Sequence, residues 1–377
     1  MILAVVSLCF LAGYALLIGF YYQHWKRLGD FHPEVPSSVL VSVIIAARNE
    51  EATLPLLGQD LQQQTHPAHL FEVLIVDDFS TDGTAQIRSR LPPNFRMLRP
   101  DGLPEHSSKK KAITKGVAEA RGELLLITDA DCRVGPKWIA TVASFYEKNN
   151  AAFIAAPVTY NGQNTLVEWL QVLDFITLQG ITAASVSARF HAMCNGANLA
   201  YTKNAFNSVD GFAGIDKLPT GDDMLLMHKI WKKDPAAVYY LKSKEAIVST
   251  APMRTWKEFL MQRRRWASKT LVYDDYRIIA VLGFVLVLNL LPFALLVAGL
   301  FHAIAFFYLL LFFLLKSVIE WPFVVSVAKF FSQQKLLRYF FLLQPLHVFY
   351  TVVVGIWSQI GTYQWKGRTA NSRGVAG

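Results

Sequence analysis

The chain has 377 residues, of which 53% are hydrophobic and only 17% charged, and it carries a net charge of +9. That balance is too apolar for an ordinary soluble domain of this length and too mixed for a chain built only of membrane helices. Its three cysteines, Cys9, Cys132 and Cys194, show no paired spacing, which excludes a disulfide framework or a cysteine zinc site and fits a reducing compartment.

Met1 to Tyr22 is nearly all apolar, close to the roughly 20 residues that span a bilayer. No basic n-region and no small-x-small cleavage site accompany it, so an uncleaved anchor is expected rather than a signal peptide. Tyr21, Tyr22 and Trp25 form an aromatic belt before Lys26 and Arg27, which places the N-terminus outside and the following segment in the cytoplasm. A linker with Pro33 and Pro36 covers 32–38.

Strand and helix patterns then alternate. Strands are expected at 41–47, 71–76, 95–98 and 123–128, and helices at 50–64, 82–90 and 110–120. Continuously apolar strands alternating with helices indicate a mostly parallel sheet covered on both faces. Ligands of such sheets bind beyond the carboxyl ends of the strands, where Asp77 and Asp78, and again Asp129 and Asp131, fall.

Near Arg254 the chain becomes basic, with Lys257, Arg263, Arg264, Arg265, Lys269 and Arg277 preceding a long apolar stretch. Juxtamembrane cations of this kind mark a cytoplasmic boundary and attract anionic lipid, so membrane topology, not nucleic acid, accounts for the surplus charge. Apolar segments follow near 278–299, 302–327 and 340–361. Lys316 and Glu320, four residues apart, are placed to pair on one helix face within the middle segment. Three full crossings would leave Lys366, Arg368 and Arg373 outside, against the positive-inside bias. A last segment re-entering at Gln344, Pro345 and His347 would return the tail to the cytoplasm.

Four motifs carry chemistry. In Val76-Asp-Asp-Phe-Ser-Thr-Asp-Gly-Thr84, carboxylates at a strand end can accept from a base N–H or a ribose hydroxyl, although Ser80, Thr81 and Asp82 also suit a helix cap. In Thr128-Asp-Ala-Asp-Cys132, Asp129 and Asp131 offer hard oxygen ligands that suit Mg²⁺ or Mn²⁺ on a diphosphate. In Thr220-Gly-Asp-Asp-Met224, a carboxylate at a helix start can act as a general base or as a cap. In Gln262-Arg-Arg-Arg-Trp266, arginine suits diphosphate and tryptophan a sugar face, and the same helix suits a lipid interface.

Together with Val41-Ser-Val-Ile-Ile-Ala-Ala-Arg-Asn-Glu50 and Asn195-Gly-Ala-Asn198, and in this order, these stretches resemble the membrane-bound family 2 glycosyltransferases of GT-A fold, over about Val39 to Ser268. The resemblance implies an α/β, Rossmann-like GT-A catalytic domain, flanked by N- and C-terminal transmembrane helices. The organisation expected is an anchor at 1–24, a cytoplasmic catalytic domain at 25–252, an amphipathic interfacial helix at 253–277, a region of two to three membrane helices at 278–362 and a tail at 363–377.

By position, the resemblance implies that Ala46, Arg48, Glu50, Asp78, Lys109, Asp129, Gln262 and Arg265 bind the donor. It implies that Asp129 and Asp131 hold Mg²⁺ or Mn²⁺, that Asp223 is the catalytic base, and that Asn195, Gly196, Asn198, Asp222 and Trp266 face the acceptor. Lys110 and Lys111 leave the register of the lysine open, and Asp222 stands where the family usually has glutamate. The function implied is inverting transfer from a nucleotide sugar, with UDP favoured, to a lipid or saccharide hydroxyl. The setting is the cytoplasmic face of a bacterial membrane, in contact with membrane lipid and without nucleic acid. The competing readings are a processive polysaccharide synthase, a polyprenyl-phosphate glycosyltransferase and a nucleotide-sugar-binding membrane regulator.

Overall fold

The computed structural model describes residues 2–33, 35–104, 108–162, 164–216, 221–268, 275–360, 362–365 and 368–371. The chain divides into two units. One comprises Leu28–Asn161 with Ser185–Ala251, the other Met1–Arg27, Gly162–Ala184 and Pro252–Gly377.

The first unit is an α/β sandwich. Strands β1 (Val41–Ala47), β2 (Phe71–Asp77), β3 (Phe95–Leu98) and β4 (Leu124–Asp129) are parallel. With β6 (Phe153–Ala155), β8 (Leu199–Thr202) and β9 (Val238–Tyr240) they form a seven-stranded sheet ordered β3-β2-β1-β4-β8-β6-β9. β8 runs antiparallel to both its neighbours. Val41, Val43, Ile44 and Ile45 of β1 are fully buried, as are Leu124, Leu125 and Leu126 of β4, because both sheet faces are covered.

Helices α2 (Leu54–Gln62), α3 (Lys109–Glu119) and α4 (Trp138–Asn149) provide that cover. α3 turns Ala112, Ile113, Gly116 and Val117 inward. It approaches β1 so closely that a Cβ on Gly116 would lie 2.5 Å from Ile44 Cγ2. The helix expected at 82–90 is instead a 3₁₀ run over Gly83–Arg90. There Asp82 accepts from the Thr84 amide at 3.0 Å and from its hydroxyl, side-chain bonding that competes with a regular helix.

The second unit is helical. α1 (Ile2–Arg27), α9 (Tyr276–Gly299), α10 (Ile304–Phe330) and the stretch Gln334–Trp357, which contains α11 (Phe340–Trp357), are each long and apolar enough to cross a membrane. α1, α10 and α11 share one polar knot. Lys316 donates to Glu320 at 2.5 Å, as expected for an i,i+4 pair, and to Gln344 at 3.0 Å. Tyr14 and Gln344 donate to Glu320 at 2.5 and 2.6 Å. Two charges and an amide are thus mutually satisfied out of contact with solvent, the condition for keeping them inside an apolar bundle.

The boundary expected at 25–252 encloses a helix that packs with this second unit. Residues up to Ala184 of α5 (Leu166–Ser187) belong here. Gln171 exchanges bonds with the Met253 backbone at 2.8 and 2.9 Å, Trp169 stacks on Tyr339 at 4.0 Å, and Gly180 faces Val327 and Phe323. α11 is continuous through Pro345, so the break expected there is absent. Gln344 and His347 turn to protein partners, the polar knot and Asp174 respectively.

Candidate active site

The register of the parallel strands assembles the first half of the site. Ala46 lies beside Val76 on one flank and Asp129 on the other, so the segments leaving β1, β2 and β4 meet at one edge. The two loops after β1 and β2 are laced together. Asn49 N–H donates to Ser80 Oγ at 3.0 Å, Thr81 N–H to Asn49 Oδ1 at 2.8 Å, and Glu50 N–H to Thr84 Oγ1 at 2.8 Å. Asn49 and Phe79 take positive φ of 57° and 55° to make these turns, and asparagine tolerates that conformation better than phenylalanine does.

Ser80, Thr81, Asp82 and Thr84 are therefore loop-pinning residues. Asp77 is likewise structural: it accepts from the Ser80 amide and pairs with Arg99, both at 3.0 Å. Asp78 is buried beside Arg48, whose guanidinium donates to the Asp78 carbonyl at 3.1 Å and lies 3.9 Å from its carboxylate. Glu50 accepts from the Thr53 hydroxyl at 2.6 Å, inside the entry to α2.

The second half gathers around one ammonium. Lys109 Nζ lies 2.6 Å from Asp129 Oδ1 and 3.0 Å from Asp222 Oδ2. Burial disfavours its charge, but Asp129 and then Asp222 outweigh that and hold its pKa well above the ordinary lysine value. Of the three lysines in the Lys109–Lys111 run, Lys109 is the one that meets these carboxylates. Lys110 is buried and donates to the Ile215 carbonyl, and Lys111 is exposed.

Asp223 begins α7 (Met224–Lys233), accepting from the Met224 amide at 2.7 Å, and its other oxygen accepts from Gly196 N–H at 3.1 Å. The capping role and a place at the site thus coincide in one carboxylate. A Cβ on Gly196 would sit 3.3 Å from Lys109 Nζ and 3.4 Å from Asp223, so only glycine leaves that space open. Asn195 accepts from the Ala197 amide at 2.9 Å, which shapes the loop.

Asn198 does not fit the acceptor-facing role expected of it. It is 1% exposed, donates to the carbonyls of Pro157 and Ala246 at 2.8 Å each, and accepts from Trp138 Nε1 at 3.0 Å. Its amide ties three segments together and has no face toward solvent. Tyr201, unremarked in the sequence, is buried on β8 with its ring stacked on Phe153 and Phe206. Its buried hydroxyl has no hydrogen-bond partner among the described residues, and burial, then Asp222, raise its pKa.

Asp131 is exposed and Asp129 half-buried. No group of three or more His, Cys, Asp or Glu side chains able to hold a metal ion occurs among the described residues. Two hard carboxylates fit Mg²⁺ or Mn²⁺ only if a ligand such as a diphosphate completes the oxygen shell.

Gln262, Arg265 and Trp266 lie on α8 (Trp256–Ala267) of the helical unit, which opens with a capping box between Thr255 and Glu258. All three are half-exposed, whereas Arg263 and Arg264 turn inward. Arg263 pairs with Asp174 at 2.7 Å and stacks 4.4 Å from the Trp266 ring, and Arg264 lies 4.4 Å from the Trp357 ring.

Residues 42–209 match the family model described as glycosyl transferase family 2. Among curated proteins, the β-monoglucosyldiacylglycerol synthase of Nostoc sp. is 26% identical over 133 residues, covering 34% of this chain and 28% of the relative. The glycosyltransferase AglE of Haloferax volcanii is 26% identical over 232 residues, 60% of this chain and 71% of the relative. Among solved structures, the mannosyltransferase PcManGT of Pyrobaculum calidifontis, in complex with GDP-Man and Mn²⁺, superposes with a TM-score of 0.58 at 15% identity, covering 95% of this chain and 99% of that one. The match to the Nostoc protein spans under a third of that relative's length. The matched segment is a family 2 glycosyltransferase domain, and its fold is GT-A.

Proposed function

We propose that this protein is an inverting glycosyltransferase that moves a sugar from a nucleotide-sugar donor, UDP-linked by preference, to a hydroxyl of a lipid or saccharide acceptor at the cytoplasmic face of a bacterial membrane. The observation that carries this reading is the convergence of Asp129, Lys109, Asp222 and Asp223 around the Cβ-free space at Gly196. Ala46, Arg48 and Asp78 form the nucleotide end, where a buried carboxylate suits a base N–H. Asp129 and Asp131 would hold Mg²⁺ or Mn²⁺, which supplies charge neutralisation for a departing nucleoside diphosphate.

Asp223 takes the acceptor proton as the hydroxyl attacks the anomeric carbon from the face opposite the leaving group, which inverts the configuration. Gly196 leaves room for that hydroxyl, and Asp222 with Asn195 borders it. Gln262, Arg265 and Trp266, the half-exposed residues of α8, serve diphosphate and acceptor. A lipid acceptor is favoured by four helices apolar enough to cross a membrane and by the diacylglycerol in the Nostoc relative's name. The test is release of UDP or GDP by the purified full chain in detergent, screened across nucleotide sugars and then with added lipid extracts. Silence across the whole screen would count against the enzyme and leave the nucleotide-sugar-binding regulator.

A further inference from the structure

We infer that Lys109 is a displaceable counterion, occupying the cation's place on Asp129 until a metal–nucleotide complex arrives and then moving onto the diphosphate. This rests on the reading of the site as one for a metal and a nucleotide sugar. Three features support it. Lys109 Nζ contacts one carboxylate of each acidic motif, Asp129 at 2.6 Å and Asp222 at 3.0 Å. A divalent ion on Asp129 would share the carboxylate with the ammonium on its Oδ1, and two cations at one carboxylate repel.

The lysine also has somewhere to go. It is the first residue of α3, directly after the cap Ser108, so its backbone is fixed while four methylenes remain free to swing a compact charge. On one side it faces Gly196, where a Cβ would come within 3.3 Å of Nζ. Any larger residue there would obstruct its exit. Finally, its neighbour Lys110 is fastened to the Ile215 carbonyl, so of these two lysines Lys109 is the one at the carboxylates.

The arrangement makes an unusual demand: one substitution must move two affinities in opposite directions. Lys109→Met should bind Mn²⁺ alone about tenfold or more tightly than the wild type, because the competitor is gone. At saturating Mn²⁺ it should bind UDP or GDP, whichever the wild type takes, about tenfold or more weakly, through loss of one charge-assisted hydrogen bond. Lys109→Arg, which keeps the charge, should leave Mn²⁺ binding weak.

Mn²⁺ titration of the full chain in detergent, read by the electron-spin signal of free Mn²⁺ without and then with each nucleotide, measures both. A folded Lys109→Met protein that bound Mn²⁺ alone no more tightly would overturn the inference. A wild-type structure with Mn²⁺ and nucleoside diphosphate reads the same point independently of any variant: Nζ should lie on a phosphate oxygen, and Nζ still on Asp129 beside the metal would refute the displacement. Failure of the underlying reading looks different, since the wild type would then bind no Mn²⁺ with either nucleotide and turn over no donor.

Discussion

Arg263 and Asp174 form an ion pair at 2.7 Å with each side chain only 5% exposed, so the first arginine of the Gln262–Trp266 run acts as a strut between α8 and α5. His347 adds a second contact to Asp174 at 3.4 Å from α11. Removing one member of such a pair leaves a buried charge uncompensated, at a cost of about 3–5 kcal/mol. Arg263→Ala should therefore lower the melting temperature markedly in detergent, and Arg263→Met combined with Asp174→Leu should recover much of it. Half-exposed Arg265 should behave oppositely: Arg265→Ala keeps the melting temperature and loses nucleotide binding. Equal melting temperatures for Arg263→Ala and wild type would remove the strut from this account.

The metal assignment makes a sharp demand on Asp131, which is exposed. Asp131→Asn should leave folding unchanged, abolish donor turnover and weaken Mn²⁺ binding in the presence of nucleotide, since no group of three or more His, Cys, Asp or Glu ligands is found among the described residues to make up for its loss. Chelation should silence the wild type, and added Mg²⁺ or Mn²⁺ should restore it. Full turnover in chelator would rule the assignment out.

Asp223 presents both oxygens to backbone N–H groups, of Gly196 at 3.1 Å and Met224 at 2.7 Å, which fixes its direction. Asp223→Asn should lose roughly 10²- to 10⁴-fold in turnover, the usual share of general-base catalysis, while nucleotide affinity stays near wild type. Asparagine caps a helix as well as aspartate does, but its Nδ2 cannot accept from the second backbone N–H, so stability is read separately as a melting temperature. A product with retained anomeric configuration would exclude direct attack assisted by this carboxylate.

How much of this was legible beforehand depended on range. β1 and β3 fall where apolar runs place them, and the Lys316–Glu320 pair forms as its spacing requires, because these are local signals. The expected domain at 25–252 takes in α5, whose apolar sequence suits a core helix in either unit. Only long-range partners, Asp174 with Arg263 and Gln171 with Met253, assign it to the helical unit. Asn198 misled for a related reason: a motif marks the position, but three bonds from distant segments decide what the amide does. Tyr201 carried no signal, since a short buried strand of Leu199 to Thr202 looks the same whether or not a carboxylate acts on its tyrosine.

The course of α11 gives the last prediction, on membrane topology. Phe340 and Phe341 pack on Trp321, nine residues before the end of α10, at 5.5 and 5.3 Å. Phe349 then meets Phe293 at 6.4 Å, while Gly355 is placed so that a Cβ would touch Leu286 at 3.1 Å. At 1.5 Å per residue those partners lie about 25 and 15 Å along α9 from its start. The helix therefore runs back toward the beginning of α9, and its end is held at α8, with Arg264 over Trp357 at 4.4 Å and bonded to the Ile360 carbonyl.

A segment that starts part-way up α10 and ends beside α8 is expected to enter and leave on one side. It can do so because Gln344 and His347 have protein partners, as irregular or polar segments at membrane depth require. The tail, of which Lys366 and Arg373 lie outside the described residues, is then expected in the cytoplasm, in accord with the positive-inside bias. A cysteine at Asn371, in a protein whose Cys9, Cys132 and Cys194 are replaced, should resist an impermeant thiol reagent in intact cells and react once they are permeabilised. A cysteine at His302, in the exposed turn between α9 and α10, should react from outside in the same cells. Labelling of the Asn371 site in intact cells would mean that α11 crosses fully, and would displace the re-entrant course.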